Sequence, residues 1–291
     1  MKLDKVLEAL HISDKYQIEP LEGDSVHADS IVNLKRRDQE NPRNFFLKGY
    51  TELTNKAEIG YADDEMIDDE LYPYGKLAGI FEYAAYKIYK YIGVKVPKAF
   101  HIHFNHIADR HELLVSAFKH PKTFGDYFND KKKNDIWRNQ IRKQNLMYAL
   151  FIGNSDFHGG NVAVKFGKNN EVKDYYLFDL ELSFRSIPDN VEMFNFYLKI
   201  ADKINKRTRN KQMRVIKNIN LKEINYIIDV AREHSYEVIK KSIPMSNVFR
   251  RQKLRKWNVL LDNITKKMKA NIKKNKKYLL EHYPVWHYKN Y

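Results

Sequence analysis

The chain has 291 residues, 43% of them hydrophobic and 13% aromatic, which excludes a disordered polymer and suffices for one large domain or two lobes with sizeable cores. With no cysteine, disulfides, thiolate metal sites and thiol nucleophiles are excluded and a cytoplasmic setting fits, while no run of about 18 apolar residues offers a membrane span. The net charge of +15 is uneven: Lys203 to Tyr291 hold 24 Lys and Arg against six Asp and Glu, whereas residues 1–202 hold 28 basic and 31 acidic residues, so the C-terminal region favours nucleic acid, an acidic protein or another anionic partner.

An amphipathic helix is predicted over "MKLDKVLEALHISDKYQ", which lacks the continuous apolar core and cleavage site of a secretory signal. "EPLEGDSVHADSIVNLKRRDQENPR" reads as a polar, turn-rich stretch, and "NFFLKGY" (Asn44–Tyr50) as a short strand. The acidic "YADDEMIDDELYPYG" reads as a solvated loop, broken at Pro73 and Gly75. A helix follows in "KLAGIFEYAAYKIYKYIG", where Leu77, Ile80, Phe81, Ala84, Ala85, Ile88 and Ile92 recur at helical spacing and Gly93 stands at the C-cap. "VPKAFHIHF" and "HELLVSAF" predict strands, and "DIWRNQIRKQNLMYALFIGN" a second amphipathic helix. Beyond about residue 195 the pattern is helical, including "NLKEINYIIDVAREHSYEVIKK" and a basic tail from Met245 to His282. No internal repeat or flexible linker appears. The chain divides into a mixed part, 1–118, and a mainly helical part, 119–291.

Between the second helix and a hairpin lies a polar knot, Asn154-Ser155-Asp156-Phe157-His158-Gly159-Gly160-Asn161. Phosphoryl transfer needs a carboxylate to orient the attacking hydroxyl, and an Asn and a second Asp to hold magnesium against nucleotide phosphates. Asp156-x-x-x-x-Asn161 supplies the first pair. The predicted hairpin "VAVKFGKNNEVKDYYLFD", turning at Gly167–Asn170, ends on the second carboxylate, Asp179. Hard oxygen ligands suit magnesium, and Gly159 and Gly160 let the loop backbone approach closely. Asn, Asp, His and Gly are also ordinary turn formers, and a polar loop needs no chemistry. A kinase further needs a strand Lys for the phosphates and a helix Glu to fix that Lys. Lys48 ends "NFFLK", and Glu82 interrupts the apolar face of its helix between Phe81 and Ala85.

In three blocks, in order, the sequence resembles the HipA-like serine/threonine kinases of bacterial toxin–antitoxin modules. "EYAAYKIYKYIGVKVPKAF" is similar to the family's Glu-bearing helix and the entry to its next strand, and "HELLVSAF" to the strand leading to the interlobe hinge. "IGNSDFHGGNVAV" with "YYLFDLELSF" is similar to the catalytic loop and metal-binding strand. The matched span runs from about Lys48 to Phe184. The resemblance implies an α+β, bilobal protein-kinase-like fold with a small mixed lobe and a larger, mainly helical C-terminal lobe. It implies Asp156 as catalytic base, Asn161 and Asp179 as magnesium ligands, Lys48 on the ATP phosphates and Glu82 holding Lys48. Gly23, Ser25 and Ser30 fall where a phosphate-covering loop belongs, and Ser116 and Phe118 at the hinge end of the nucleotide site. His158 braces the loop. Two positions depart from the family, with Phe157 where it has Arg and Gly160 where it has Lys, which bears on rate and substrate choice. The resemblance, starting almost at the nucleotide loop, is expected to be to the family's compact members, which lack the extra N-terminal subdomain of full-length toxins. The implied activity is transfer of the ATP γ-phosphoryl group to a protein Ser or Thr. The implied targets are translation proteins such as an aminoacyl-tRNA synthetase, with a possible antitoxin partner. A secreted effector acting in host cells is the alternative location. Ser25 and Ser30 are candidates for autophosphorylation. Two other readings stay open: an inactive kinase fold serving as a binding module for nucleic acid or an acidic protein, and a phosphoinositide-type lipid kinase.

His101-x-His103 places two imidazoles on one strand face without a third ligand, so a metal site is not assigned there. In the tail, Leu254, Trp257, Leu260, Leu261 and Ile264 form an apolar stripe predicted to face a core. The surrounding lysines, with Trp257, Tyr278 and Trp286, suit a phosphate backbone and stacked bases.

Overall fold

A computed structural model of the protein describes residues 16–21, 30–36, 43–50, 78–103, 111–116, 122–123, 135–168, 171–242, 245–246 and 248–285. Its side chains are described within 80–99 and 135–285, apart from 238–239 and 241–242. The predicted N-terminal helix up to residue 15 and the acidic loop lie outside these residues. The architecture is α+β: among the described residues, strands predominate before residue 120 and helices after the hairpin.

Five strands form an antiparallel sheet of order β1-β2-β3-β5-β4. They are β1 (Tyr16–Leu21), β2 (Ser30–Arg36), β3 (Arg43–Tyr50), β4 (Ala99–His103) and β5 (His111–Ser116). The register sets Ser30 against Leu47, Lys48 against Leu113, and Ser116 against Phe45. Strands β3, β4 and β5 fall where their β-branched and aromatic runs predict them. β1 and β2 pair antiparallel, mostly within the stretch read as polar loop, and Tyr16 and Gln17, placed at the end of the predicted N-terminal helix, are strand residues of β1 instead. The alternation of Val32 and Leu34 with Asn33 and Lys35 is strand-like, but the flanking charges and turn formers mask it.

Helix α1 (Ala78–Tyr91) is buried around most of its circumference. The predicted stripe of Ile80, Phe81, Ala84, Ala85 and Ile88 is inside, and so are Tyr83, Tyr86 and Tyr89. Amphipathic tyrosines hide this second face from a hydrophobicity pattern. The helix ends at Gly93, whose φ of +83° is the left-handed turn expected of a C-terminal glycine.

A π-helical turn, Trp137–Ile141, runs into α2 (Arg142–Ile152). Helix α2 stops at Gly153, at φ +72°. A Cβ there would stand 1.9 Å from the Arg185 carbonyl oxygen, so no side chain fits. A three-stranded antiparallel sheet follows, with β6 (Lys122–Thr123) paired to β7 (Val162–Phe166) and β7 to β8 (Val172–Leu177). The hairpin predicted over Val162 to Asp179 is thereby present.

Four more helices follow among the described residues: α3 (Val191–Lys203), α4 (Lys206–Asn218), α5 (Leu221–Ser242) and the 33-residue α6 (Arg250–His282). The predicted α6 stripe is only partly inside, since Leu261 and Ile264 are buried but Leu254, Trp257 and Leu260 are half-buried. Farther along, Met268, Ile272 and Leu279 are buried together with Asn271 and Asn275.

The fold comprises two compact units. One holds the five-stranded sheet, the start of α1, and Asp229 to Thr265. Within it Arg232 joins α5 to α6 through Asp262 and Asn258, its guanidinium 5.4 Å from the Tyr236 ring centre. The other holds Ala85 to Val96, the three-stranded sheet, α2, α3, α4, most of the first half of α5, and α6 from Lys266. No described helix is long and apolar enough to cross a membrane.

Candidate active site

The knot Asn154–Asn161 lies in the second unit, between α2 and β7. Its scaffold is a set of backbone bonds to the segment after β8. Ser155 N–H donates to Leu182 O at 3.1 Å, Phe184 N–H to Ile152 O at 2.8 Å, and Arg185 N–H to Gly153 O at 3.1 Å. Helix α6 locks this pairing from behind with two buried amides one turn apart. Asn271 donates to Phe184 O at 2.8 Å. Asn275 donates to Phe151 O at 3.3 Å and Arg185 O at 2.9 Å, and accepts from Ile187 N–H at 2.7 Å. These backbone groups lie beyond reach of water, so each amide satisfies donors and acceptors that would otherwise be costly to bury.

Within the loop, three contacts fix the backbone around Asp156. Its own N–H donates to Asn154 Oδ1 at 2.9 Å. Tyr197 of α3 holds both neighbours, its hydroxyl accepting from Phe157 N–H at 3.0 Å and donating to Ser155 O at 3.1 Å. Burial, then the Asp156 charge, pushes the Tyr197 hydroxyl up to about 12, so it stays protonated and able to donate. Phe157 is 3% exposed and stacks edge-on against Trp137 at 5.3 Å. Where the resemblance has an arginine, this chain has a core side chain.

Both oxygens of Asp156 accept hydrogen bonds. Asn161 Nδ2 donates to Oδ2 at 2.7 Å and to the Asp156 carbonyl at 3.0 Å. His158 Nε2 lies 3.1 Å from Oδ1. Gly160 N–H donates to His158 Nδ1 at 2.9 Å, so the ring proton of the neutral imidazole sits on Nε2, facing Asp156. The bond to Asp156 raises the His158 pKa above its ordinary value, with the charges of Asp156 and Asp179 adding to it against partial burial. A Cβ on Gly160 would stand 2.7 Å from His158 Cε1, and this close stacking accounts for glycine at the second departing position. The expected bracing role of His158 matches this geometry.

Asp179 follows β8, joined to the knot by Phe178 N–H donating to Asn161 O at 3.0 Å. Its φ is +57°, a left-handed conformation costing a non-glycine residue about 1 kcal/mol. The strained N–H donates to Tyr86 OH of α1 at 3.0 Å. Asp156, Asn161 and Asp179 are thus assembled by one loop and one hairpin.

Magnesium needs only one or two protein carboxylates beside substrate phosphates. Asn161 spends its Nδ2 on Asp156, so the oxygens that would hold such an ion are Asn161 Oδ1 and the Asp179 carboxylate. That donor set fits the ion, although no group of three His, Cys, Asp or Glu suited to a metal occurs among the described residues.

Glu82, in the first unit, is 0% exposed, in keeping with its position inside an apolar face. Lys48, Ser30 and Ser116 are placed on β3, β2 and β5 by their backbones, with side chains outside the described part, as are those of His101 and His103. Gly23, Ser25 and Phe118 lie outside the described residues altogether. Sequence reasoning missed Tyr86, Tyr197, Asn271 and Asn275, which no local pattern flags. Asn154 had a readable signal, since an Asn two residues before a backbone N–H commonly caps it.

No family model matches the chain, and no curated protein matches it. Among solved structures it is similar to a Helicobacter pylori proinflammatory kinase, CtkA, with 13% identity and TM-score 0.47 over 91% of this chain and 96% of that one. It is similar to the Rio2 kinase–ADP/Mg2+–phosphoaspartate complex of Chaetomium thermophilum, with 15% identity and TM-score 0.44 over 95% and 76%. It is also similar to the Shewanella oneidensis toxin–antitoxin complex of HipA, HipB and operator DNA, with 12% identity and TM-score 0.37 over 95% and 73%. At these scores the likenesses are partial.

Proposed function

We propose that the protein is a magnesium- and ATP-dependent phosphotransferase acting on a Ser or Thr hydroxyl of a protein. The observation that carries this reading is the Asp156–Asn161 pair. A carboxylate fixed by three backbone contacts accepts an amide N–H from the residue whose remaining oxygen faces a metal role. An Asp in a strained conformation follows one hairpin later. Strain of that kind persists where a site needs a side chain aimed in one direction.

In this reading Asp156 accepts the proton of the attacking hydroxyl. Asn161 holds Oδ2, so Oδ1, whose present neighbour is the half-exposed His158, is the oxygen a substrate hydroxyl reaches. Asn161 Oδ1 and the Asp179 carboxylate would hold magnesium, which when bound would neutralise charge on the phosphate oxygens. Lys48 contacts the phosphates, and Glu82 orients Lys48. Gly23, Ser25 and Ser30 cover the phosphates, while Ser116 and Phe118 border the adenine. A translation protein as target, and an antitoxin partner, belong to the same proposal.

Manganese, standing in for magnesium, tests the metal site. Water-proton relaxation enhancement in the presence of ATP is expected for the wild-type protein. Asn161→Ala and Asp179→Ala should each weaken it about tenfold or more. Undiminished enhancement in both variants would overturn the assignment.

A further inference from the structure

A cleft of about 1010 Å³ opens in the second unit and shares no residue with the Asp156 loop. One wall is α4, which presents Arg207, Lys211 and Arg214 at helical spacing along one face; the other carries Gln144, Tyr148 and Tyr175. Among the described residues no Asp or Glu lines it. Helix α4 itself has six basic and no acidic residues among thirteen, and like charges three and four positions apart destabilise a helix by a few tenths of a kcal/mol each. The sequence therefore carries an electrostatic cost that a bound anion relieves. Arg207 and Lys211 are exposed, and their side chains bond to no residue among those described.

The walls are fixed in place without a ligand. Gln212 of α4 donates to Lys143 O at 2.9 Å and accepts from Met147 N–H at 3.1 Å, tying α4 to α2. Asn145 donates to Ile141 O at 2.8 Å and to Tyr175 OH at 3.0 Å, which sets the Tyr175 ring. A preformed cleft avoids the ordering cost of binding. Its volume is at the upper end of small-molecule sites, about 300–1,000 Å³. Cations on one side suit phosphates, and two tyrosines with an amide opposite suit a flat ring with polar edges.

We propose that this cleft binds a nucleotide-sized phosphorylated ligand, its phosphates on Arg207, Lys211 and Arg214 and its base against Tyr148 and Tyr175. The same chemistry occurs in a free nucleotide and in a unit of an RNA strand. The inference is independent of the phosphotransfer reading.

The test is calorimetry on the full chain in EDTA, without magnesium, with three probes: inorganic tripolyphosphate, uridine triphosphate and a short oligouridylate. Uridine triphosphate should bind more tightly than tripolyphosphate because the base adds contacts. The double variant Arg207→Ala with Lys211→Ala should lose at least about tenfold in affinity. Both positions are exposed and alanine is the better helix former, so its thermal melt should match wild type; Lys211→Arg should keep binding. Tighter binding of the oligouridylate assigns the ligand to RNA, and tighter binding of the triphosphate to a free nucleotide. The proposal is overturned if no probe binds up to about 1 mM, or if tripolyphosphate binds as tightly as the nucleotide. It is equally overturned if the double variant binds like wild type.

Discussion

Tyr197→Phe removes one oxygen and nothing else, and that oxygen holds the backbone on both sides of Asp156. The ring is 8% exposed and stays packed beside Phe157 and Phe194, so the core keeps its volume. The loss is two neutral hydrogen bonds of ordinary length, 3.0 and 3.1 Å. Leaving the buried Phe157 N–H without a partner costs about 1–3 kcal/mol, and the Ser155 carbonyl, nearer water, adds less. The total is about 2 kcal/mol, concentrated in the loop. Amide hydrogen exchange followed by mass spectrometry on a peptide spanning Asp156 and Phe157 should therefore quicken about 30-fold, with peptides from α6 unchanged. Phosphotransfer should fall about 10- to 100-fold, since displacing a catalytic group by an ångström has that effect. Unchanged exchange at Phe157 together with an unchanged rate would refute the clamp.

Asn275→Ala removes the three hydrogen bonds that Asn275 makes to buried backbone groups of Phe151, Arg185 and Ile187, so stability measured in urea should drop by about 3–5 kcal/mol; a loss under about 1 kcal/mol contradicts the role given to α6. Gly160→Ala drives a methyl into the His158 ring and breaks the Nδ1 bond, and should slow phosphotransfer about tenfold while shifting the melt little; wild-type kinetics would argue against the stack. His158 is held above its ordinary pKa by its Asp156 bond, so the stabilisation from its cation is full below about pH 6.5, the unfolded value, and fades as pH rises through the folded one. The melting difference between wild type and His158→Gln should accordingly be larger at acid than at alkaline pH, though modest because the ring is half exposed. Phosphotransfer should follow the opposite trend, rising as His158 loses its proton and releases the Asp156 carboxylate. A pH-independent melting difference removes the ion pair from the account.

Helix α1, the second amphipathic helix and the hairpin were legible because periodicity survives in residues 78–91 and 135–177. That Asp156, Asn161 and Asp179 come near one another was legible because the three lie within one short stretch. The β1–β2 hairpin was not, since its alternation is overwritten by lysines, arginines and turn formers whose own preferences dominate a local reading. The stripe Leu254, Trp257 and Leu260 reads like Leu261 and Ile264, yet only the last two are buried. The supports of the site were invisible for a different reason. Asn275 stands 124 positions from Phe151, and Tyr197 stands 40 from Phe157; each looks like an ordinary residue of its helix until the fold brings its partner to it. In the basic tail, nothing local marks Asn271 and Asn275 for burial against backbone carbonyls.

Incubation of the purified protein with magnesium and γ-labelled ATP, beside Asp156→Ala and Asp179→Ala, tests the central claim most directly. The account predicts label on the protein itself or on a protein in an added lysate, lost in both variants. An absence of label on every protein, or label undiminished in both variants, would contradict it.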